Sequence, residues 1–315
     1  MSRASDHIQV LQDRALMLKK VRSFFSKRKV LEVDCPILSQ YATIDAHIDV
    51  MHTSPLDDKL YYLHTSAEYG MKRLLSLGMP DIFQLSHVFR KKELGALHNP
   101  EFTLIEWYRK NFSFSQMMQE TLSLLLLFFG KVPIQQQTYK ELFLEKAHLD
   151  PHLANTKTLS SYLVEKKTLS SHDPSLDRET LLQLILTHHI EPNLEKNQLF
   201  VLTDFPPSQA ALAQIEETAL EKVAKRFEIY YQGIELANGY LELRDPLELR
   251  KRFSTWNEER KRLQKEAFAL DDRLLTALTR LPPCSGVAVG FDRLLMLRHG
   301  KKSIEEVLPF SFENA

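Results

Sequence analysis

Two predicted strands carry polar and aromatic side chains whose types suit a chemical site. The strands cover residues 82–90 and 101–109, and the polar loop between them predicts an antiparallel hairpin. Side chains alternate between the two faces of a strand, so one face of this pair is expected to carry Gln84, Ser86, Val88, Arg90, Phe102, Leu104, Glu106 and Tyr108. A guanidinium, an aromatic ring, a carboxylate and a phenol are costly in an apolar core that leaves them unpaired. The pattern therefore favours a polar site on this face.

A glycine-spaced segment near the end of the chain offers a second place for an anion. Residues 286–290 are predicted to form a strand that leads directly into a helix from Phe291, with Arg293 in its first turn. Glycine has no Cβ, so a nucleotide can approach the backbone at Gly290, and an arginine can bind a phosphate through two parallel hydrogen bonds. Such a segment alone is more often a packing turn. The residues alone therefore leave a phosphate site open as the less frequent alternative.

Two further segments supply carboxylates that suit a cationic substrate. The first is Thr65-Ser66-Ala67-Glu68, and the second spans residues 235–243. An ammonium group removed from water needs a carboxylate and further acceptors. For a substrate with two such groups, Glu242 with Tyr108 suits a side-chain ammonium and Glu68 suits an amino group. Each glutamate taken singly fits a solvated strand end better, and only the joint pattern favours a site.

The elements that must position these residues follow from periodicity. Apolar residues at helical spacing predict an entry helix over residues 6–29, with Asp6 as its cap. The remaining predicted elements are strands 30–33 and 60–64, helix 68–77, the hairpin, helices between 114 and 190, strands 199–203, 226–231 and 234–243, helices 247–268 and 271–279, and strand 286–290. This order predicts an α+β fold: one domain over residues 1–315, built on an antiparallel sheet flanked by helices, with a helical insertion at about 112–195.

Composition indicates a folded protein without a dominant charge. The chain has 315 residues, 43% of them hydrophobic, and Lys plus Arg balance Asp plus Glu at 41 each. The longest apolar run, 124–129, is far below the ~20 residues that span a bilayer, and the first residues lack a signal-peptide pattern. We therefore expect a cytoplasmic protein without membrane contact. Cys35 and Cys284 are expected to be structural thiols, and the charge balance argues mildly against RNA as the main partner.

Three segments together resemble the three motifs of class II aminoacyl-tRNA synthetases. They are Val30 to Pro36, the hairpin from Phe89 to Tyr108 with its His98-Asn99-Pro100-Glu101-Phe102 stretch, and Ser285 to Arg293. The resemblance implies the class II catalytic core, a homodimer through the entry helix and the first segment, and ATP with Mg²⁺ as cofactors. It assigns catalytic roles at the α-phosphate and γ-phosphate of ATP to Arg90 and Arg293, and adenine stacking to Phe102. The full implied ATP site comprises Arg90, Lys92, His98, Asn99, Phe102, Glu235, Leu236, Gly290 and Arg293.

The segment from Glu235 to Leu243 is similar to the lysyl-tRNA synthetase subgroup. This similarity implies an amino-acid site made of Ser66, Glu68, Tyr108, Asn238, Glu242 and Ala288.

The same segment suggests a metal site for the ATP phosphates. If Gln232-Gly233 forms the hairpin turn, Tyr230 opposes Glu235 and Glu228 lies diagonally on the same face, which makes Glu228 and Glu235 the expected Mg²⁺ ligands. Strict alternation points Glu235 away from Asn238. Convergence on one site therefore requires a bulge or a strong twist before Asn238.

Similarity along the whole chain extends to a narrower group, the elongation factor P–lysine ligases, which are truncated paralogues of lysyl-tRNA synthetases. Lysyl-tRNA synthetases carry an N-terminal anticodon-binding domain, and here the synthetase core is expected to begin almost at Met1, leaving no such domain. The resemblance implies that (R)-β-lysine, or less well α-lysine, is activated as an adenylate when its carboxylate attacks ATP. Elongation factor P, and not tRNA, is then expected to accept the lysyl group through an amide bond.

Three positions depart from the related synthetases. Lys92 replaces a glutamate of the second motif, Ala67 replaces a proline, and Ala288 replaces a glycine of lysyl-tRNA synthetases, where its methyl group favours an isomer with a shifted amino group. Two other interpretations stay open: an enzyme that charges tRNA, and an inactive regulatory module, since Lys92 breaks a motif. Activity is favoured by the retained residues Arg90, Glu235, Glu242 and Arg293. The choice between α-lysine and (R)-β-lysine stays open.

Overall fold

The chain divides into two compact units in a computed structural model that describes residues 3–55, 59–218 and 221–315. The first unit comprises Met1–Gly130 with Glu242–Ala315, and the second is Lys131–Leu241. Each unit combines helices with a largely antiparallel sheet, which confirms the predicted α+β class.

The described residues form the α-helices α1 Arg3–Lys27, α2 Glu68–Ser76, α3 Phe114–Phe129, α4 Tyr139–Ala147, α5 Thr156–Glu165, α6 Arg178–Ile185, α7 Pro246–Arg262, α8 Asp272–Leu278 and α9 Phe291–Arg298. Their strands are β1 Leu31–Glu32, β2 Leu38–Ser39, β3 His52–Thr53, β4 Tyr61–Leu63, β5 Ile82–Phe89, β6 Glu101–Lys110, β7 Ile134–Thr138, β8 Leu199–Phe205, β9 Ile215–Glu217, β10 Lys222–Tyr231, β11 Ile234–Leu241 and β12 Cys284–Gly290. None of the described helices is long and apolar enough to cross a membrane.

The sheet of the first unit has the strand order β1-β5-β6-β12. Strand β1 runs parallel to β5, whereas β5 and β12 are both antiparallel to β6. The predicted hairpin is confirmed, because Gln84 lies opposite Glu106 and Val88 lies opposite Phe102. Directly opposed residues of an antiparallel pair share a face, so the register also confirms the predicted polar face.

The opposite face of this sheet is apolar. Phe83 and Trp107 oppose each other across β5 and β6. The ring of Phe25 from α1 stacks on Phe83 at a centroid distance of 4.3 Å and meets Trp107 edge-on at 5.2 Å. Trp107 is fully buried, and large buried aromatic side chains contribute strongly to stability. Helix α1 therefore anchors the sheet from the side away from the polar face.

Helix α1 lies close to its predicted limits but buries a partly different stripe. Phe25 is buried as expected, whereas Ile8 is 56% exposed. Asp6 was predicted as the cap, and this was wrong: it lies in the first turn, where its carboxylate pairs with Lys301. The buried stripe includes Arg14, which forms an ion pair with a carboxylate of α9. A search for apolar residues at helical spacing does not find Arg14, because its charged side chain is buried together with an oppositely charged partner.

The second unit contains strands in the order β11-β10-β8-β7, with β9 paired to β10. Its buried cluster includes Tyr139, Phe143 and Phe205, whose rings pack together. Helices α3 to α6 fall within the residues predicted as a helical insertion, and β7 interrupts them. Strand β7 was missed because its sequence, Ile-Gln-Gln-Gln-Thr, lacks apolar alternation. That residues 112–195 are an insertion into a single domain stays a prediction.

The hairpin of β10 and β11 contains the irregularity that the sequence required. Residues 232 and 233 have φ of 55° and 76°, as in the two-residue turns that fit twisted hairpins. Tyr230 opposes Glu235 as predicted, and the register then shifts by one residue, so that Leu236 is the extra residue of a bulge. The expected bulge before Asn238 is therefore confirmed.

Candidate active site

The polar face of the first-unit sheet is lined by small residues on one of its strands. Gly286 lies opposite Tyr108, and Ala288 lies opposite Glu106, on the face that the β5–β6 hairpin shares. Small side chains on β12 leave space beside the long side chains of β6. The register therefore brings Phe102, Glu106 and Tyr108 of the predicted face into one surface with Ala288 and Gly290, which the resemblance had assigned to the site.

Arg90 follows β5 and stacks its guanidinium on an aromatic ring. Its Cζ lies 5.1 Å from the ring centroid of Phe102, and its nearest carboxylate, that of Glu93, is 3.8 Å away. Its buried Nε has no hydrogen-bond acceptor within the described part of the chain. A buried donor without an acceptor costs about 1–3 kcal/mol. The geometry therefore suits an anionic ligand that has an aromatic portion.

Arg293 is held at the start of α9 by the strand beside it. The adjacent Asp292 is buried, pairs with Arg14, and accepts a hydrogen bond from the Thr103 backbone at 2.6 Å. Arg293 itself donates to Nε2 of His98 at 2.8 Å. Burial, reinforced by the Arg293 charge, lowers the pKa of His98, which keeps the ring neutral and able to accept this bond. Arg293 and His98 are thus together, as the predicted phosphate site requires.

Two predicted ATP contacts in the loop between β5 and β6 have other partners. The Lys92 side chain is 76% exposed, and its Nζ lies 3.6 Å from Asp49. The Asn99 amide donates to the Glu101 carbonyl at 2.6 Å and accepts from the Phe312 backbone at 3.0 Å. Both side chains are therefore engaged within the chain, and a contact of either with ATP stays a prediction.

Glu106 fixes the turn that precedes α2. Its carboxylate accepts hydrogen bonds from Ser66 Oγ at 2.6 Å and from the Ala67 backbone at 2.7 Å. Only 2% of Glu106 is exposed. This burial raises the pKa of Glu106 to about 7, although the two hydrogen bonds act in the opposite direction. Ser66 in turn accepts from the Glu68 backbone at 3.1 Å, so the predicted substrate segment is positioned by the polar face.

Lys72 lies between two carboxylates of the predicted amino-acid site. It is 3% exposed and forms ion pairs with Glu68 and, at 2.6 Å, with Glu242. Burial by itself lowers the pKa of Lys72, but the two carboxylates outweigh it and hold that pKa above its usual value. Complete burial raises the pKa of Glu242 to about 8 against the opposing influence of Lys72. We call Lys72, Glu68 and Glu242 the Lys72 cluster.

Gly286 makes room for this cluster. A Cβ at Gly286 would lie well inside contact distance of the Tyr108 ring and of Glu242 Oε1. Tyr108 is buried, and burial raises its pKa well above the usual value, so its phenol stays protonated. Glycine is therefore required here by the side chains of the predicted lysine pocket. A Cβ at Gly290 would meet only Arg293, at 3.7 Å.

In the second unit, the predicted metal ligand Glu228 is already surrounded by donors. Its buried carboxylate pairs with Arg226 and accepts from the Tyr230 hydroxyl. Asn238 Nδ2 lies 3.4 Å from it, while Asn238 Oδ1 is buried without a donor from the described residues. Glu235 opposes Tyr230 on β11.

The described residues hold no group of three or more His, Cys, Asp or Glu with metal-site spacing. Mg²⁺ usually takes one or two protein carboxylates and fills its other positions with phosphate oxygens and water. The two carboxylates of Glu228 and Glu235 are metal ligands of the kind that a Mg²⁺ site uses.

Sequence comparisons place this geometry in a family. The family model described as tRNA synthetases class II (D, K and N) matches residues 1–314. This chain belongs to the class II tRNA synthetase family. A protein from Avibacterium paragallinarum named elongation factor P–(R)-β-lysine ligase is 42% identical over 314 residues, which cover 98% of this chain and 97% of that protein. Proteins of the same name from Pasteurella multocida (strain Pm70) and Salmonella typhi are 41% and 40% identical, each covering 99% of this chain and 97% of their own length.

Motif comparison missed Lys72. It lies on α2, outside the segments that carry the resemblance. A signal was available in the sequence, because Lys72 follows Glu68 by four residues on a predicted helix, and such pairs face each other. The sequence did not reveal that this pair is buried and that Glu242 completes it.

Proposed function

We propose that this class II synthetase homologue activates (R)-β-lysine, or less well α-lysine, with ATP and joins it to a lysine side chain of elongation factor P. The observation that carries the proposal is the division of the polar sheet face. One end presents Arg90, a buried donor in need of an anion. The other presents buried Glu106 and Tyr108 beside Glu242, acceptors of the kind that a desolvated ammonium needs. The relatives with about 40% identity carry the name of this activity.

In the first step, a carboxylate oxygen of the amino acid attacks the α-phosphorus of ATP and pyrophosphate leaves. Arg90 binds the α-phosphate and the amino-acid carboxylate, Arg293 with His98 binds the terminal phosphates, and Phe102 stacks on adenine. Positively charged groups aimed at the phosphates stabilise the charge that develops in the transition state. Mg²⁺, held by Glu228 and Glu235, would neutralise phosphate charge. The other proposed ATP contacts are Lys92, Asn99, Leu236 and Gly290.

The amino-acid site is assigned to the carboxylates and their neighbours. Glu242 and Tyr108 bind the side-chain ammonium, and Glu68 binds the amino group. Ser66, Asn238 and Ala288 complete the proposed contacts. The buried Oδ1 of Asn238, which lacks a donor within the described residues, supports its role as an acceptor.

In the second step, the uncharged ε-amine of the acceptor lysine attacks the carbonyl carbon of the adenylate. An amide bond forms, AMP leaves, and the amine loses a proton. No side chain of this chain becomes covalently modified.

A protein acceptor also agrees with the charge of the chain. Lys plus Arg and Asp plus Glu number 41 each. Proteins that bind a long nucleic-acid surface usually show a basic footprint, because each phosphate contact uses Lys or Arg. A protein acceptor needs only a complementary patch and a lysine long enough to reach the adenylate.

The test is an incubation of the enzyme with ATP, Mg²⁺, either lysine isomer and purified elongation factor P. Intact mass should rise by one lysyl unit, and mutation of the acceptor lysine should abolish the gain. If tRNA is charged while elongation factor P stays unmodified, tRNA is the acceptor and this part of the proposal is wrong. Absence of ATP–pyrophosphate exchange with both isomers would favour an inactive binding module.

The proposal includes a homodimer through α1 and the Val30 to Pro36 segment. Exposed apolar side chains on these elements support it: Ile8, Leu16 and Leu31 are each about half exposed. Sedimentation at micromolar concentration should give twice the chain mass. A monomer at that concentration would contradict this part of the proposal.

A further inference from the structure

The Lys72 cluster has an unusual balance of charge for a buried site. Three carboxylates lie in it or beside it, those of Glu68, Glu106 and Glu242, and Glu106 and Glu242 are almost completely buried. Lys72 forms ion pairs with two of them. When all four groups are ionised, one positive charge offsets three negative charges. Two negative charges remain, which equals the number of ammonium groups on a diamino acid.

The titratable groups that interact electrostatically with Glu242 come from three elements. Helix α2 contributes Lys72 and Glu68, β6 contributes Glu106 and Tyr108, and β12 contributes Cys284. Tyr108 and Cys284 are neutral near pH 7, because burial raises both pKa values, that of Cys284 to about 12. Lys72 is thus the cation of this set. Without it, buried carboxylates at short range repel one another and take up protons, and a protonated acid attracts an ammonium group poorly.

Helix α2 also holds Lys72 firmly. Met71 and Leu75 on the same helix are fully buried. The ammonium of Lys72 binds one carboxylate from its own helix and one from outside it. Moving it away would leave two buried carboxylates uncompensated, a costly change. The arrangement therefore favours a fixed internal cation over one that is displaced by the substrate.

We propose that Lys72 is a positioning residue for the diamino-acid substrate: it orients Glu68 and Glu242 and favours their ionised forms, so that the pocket accepts a substrate with two ammonium groups. This inference rests on the proposed function. Lys72 acts through the two glutamates and leaves the substrate contacts to them. It thereby makes the pocket selective for the number of positive charges on the amino acid.

The test compares wild type with Lys72→Met, which removes the charge from a side chain of similar length. The KM for lysine in ATP–pyrophosphate exchange is expected to rise about tenfold or more, and the ascending limb of kcat/KM for lysine to move about one pH unit upward, because the glutamates ionise less readily. The kcat at saturating lysine should change much less than KM. Lys72→Gln, a second neutral variant that can still hydrogen bond, should shift the limb in the same direction.

Rescue provides a readout that a purely structural role would not give. Lys72→Ala removes the atoms of a propylammonium group, so added propylamine should lower its KM for lysine toward the wild-type value. Arg260→Met is the matched control, because Arg260 is also a buried cation of the first unit but donates to backbone carbonyls, including those of Asp45 and Ile48, and its ion-pair partner Asp49 lies outside the Lys72 cluster. This variant should lose thermal stability while its KM for lysine and its pH limb stay unchanged.

Two results would overturn the inference. Lower thermal stability with an unchanged KM and pH limb in both neutral variants would reduce Lys72 to a structural residue. Tighter lysine binding in these variants would mean that Lys72 competes with the substrate. Calorimetric measurement of lysine binding without ATP distinguishes failure of the proposed function from failure of the role of Lys72. If wild type binds lysine but does not catalyse pyrophosphate exchange, the proposed function is wrong. If wild type catalyses exchange and the Lys72 variants behave as wild type does, only the role of Lys72 is wrong. Wild type that binds neither isomer contradicts both.

Discussion

The two faces of the first-unit sheet both contain buried residues, yet the two faces have different roles. Trp107 and Glu106 are neighbours on β6 and are each at most 2% exposed. Trp107 faces stacked aromatic rings from α1 and β5, while Glu106 faces hydrogen-bond donors and other charged groups. Burial therefore does not distinguish a core from a site. The polar face is distinguished by buried polar groups that lack hydrogen-bond partners among the described residues, such as the Nε of Arg90.

The largest effect expected on the polar face follows from Arg90→Ala. This change removes charge stabilisation at the α-phosphate, and losses of this kind are about 3 kcal/mol or more, roughly a hundredfold to a thousandfold in rate. ATP–pyrophosphate exchange should therefore be nearly abolished, while the denaturation midpoint stays close to wild type. Exchange at the wild-type rate would end the assignment of Arg90.

Gly286→Ala should damage the lysine pocket next most strongly. The added methyl group displaces the Tyr108 ring and the Glu242 carboxylate, and overpacking of this kind costs about 1–3 kcal/mol. We expect the KM for lysine to rise about tenfold or more, with the KM for ATP little changed. Gly290→Ala is the matched control, because its Cβ makes only ordinary contacts with Arg293. Gly290→Ala should fold normally, and any kinetic change should appear in the KM for ATP. A rise in the KM for lysine equal to that of Gly286→Ala would show that the two glycines do not serve different parts of the site.

On the apolar face, Phe25→Leu should affect stability and leave chemistry intact. The substitution removes the ring that stacks on Phe83 and meets Trp107, and such a loss lowers the free energy of unfolding by about 1–3 kcal/mol. Denaturant titration would measure this change. At a temperature where the variant is fully folded, its kcat and both KM values should match those of wild type. A selective loss of lysine binding would show that the two faces are not separable.

The smallest expected effect is a pH dependence confined to the polar face. Burial raises the pKa of Glu106 to about 7 and that of Glu242 to about 8. Their contribution to stability is thus fully present below their usual pKa of about 4.5 and is lost as pH rises through 7 and 8. Bound lysine favours the ionised carboxylates, so its affinity should increase up to about tenfold between about pH 6 and pH 8.5. Calorimetry over this range tests the sign, and an affinity that falls with rising pH would contradict it.

Much of the candidate site was predictable because its signals are local. Alternation on β5 and β6 predicted the polar face, and the register confirmed it. The hairpin turn at residues 232–233 and the conflict between Glu235 and Asn238 predicted the bulge that the structure contains. Strand β7 was missed because its polar sequence lacks a periodic signal. The roles of Lys92 and Asn99 came from motif position alone, and a motif position does not say which partner a side chain finds.

The sequence by itself determined the family, the α+β class, the polar strand pair and the segments that supply carboxylates, since these depend on residue type and short spacing. Only the tertiary structure decided that Lys72 lies between Glu68 and Glu242, that Gly286 must lack a side chain, and that Asp292 fixes the start of α9 through Arg14 and Thr103. Apart from the pair of Lys72 with Glu68, each of these contacts joins residues far apart in the chain. Local periodicity carries no information about such pairs, because their energies depend on burial and on partners that folding alone brings together.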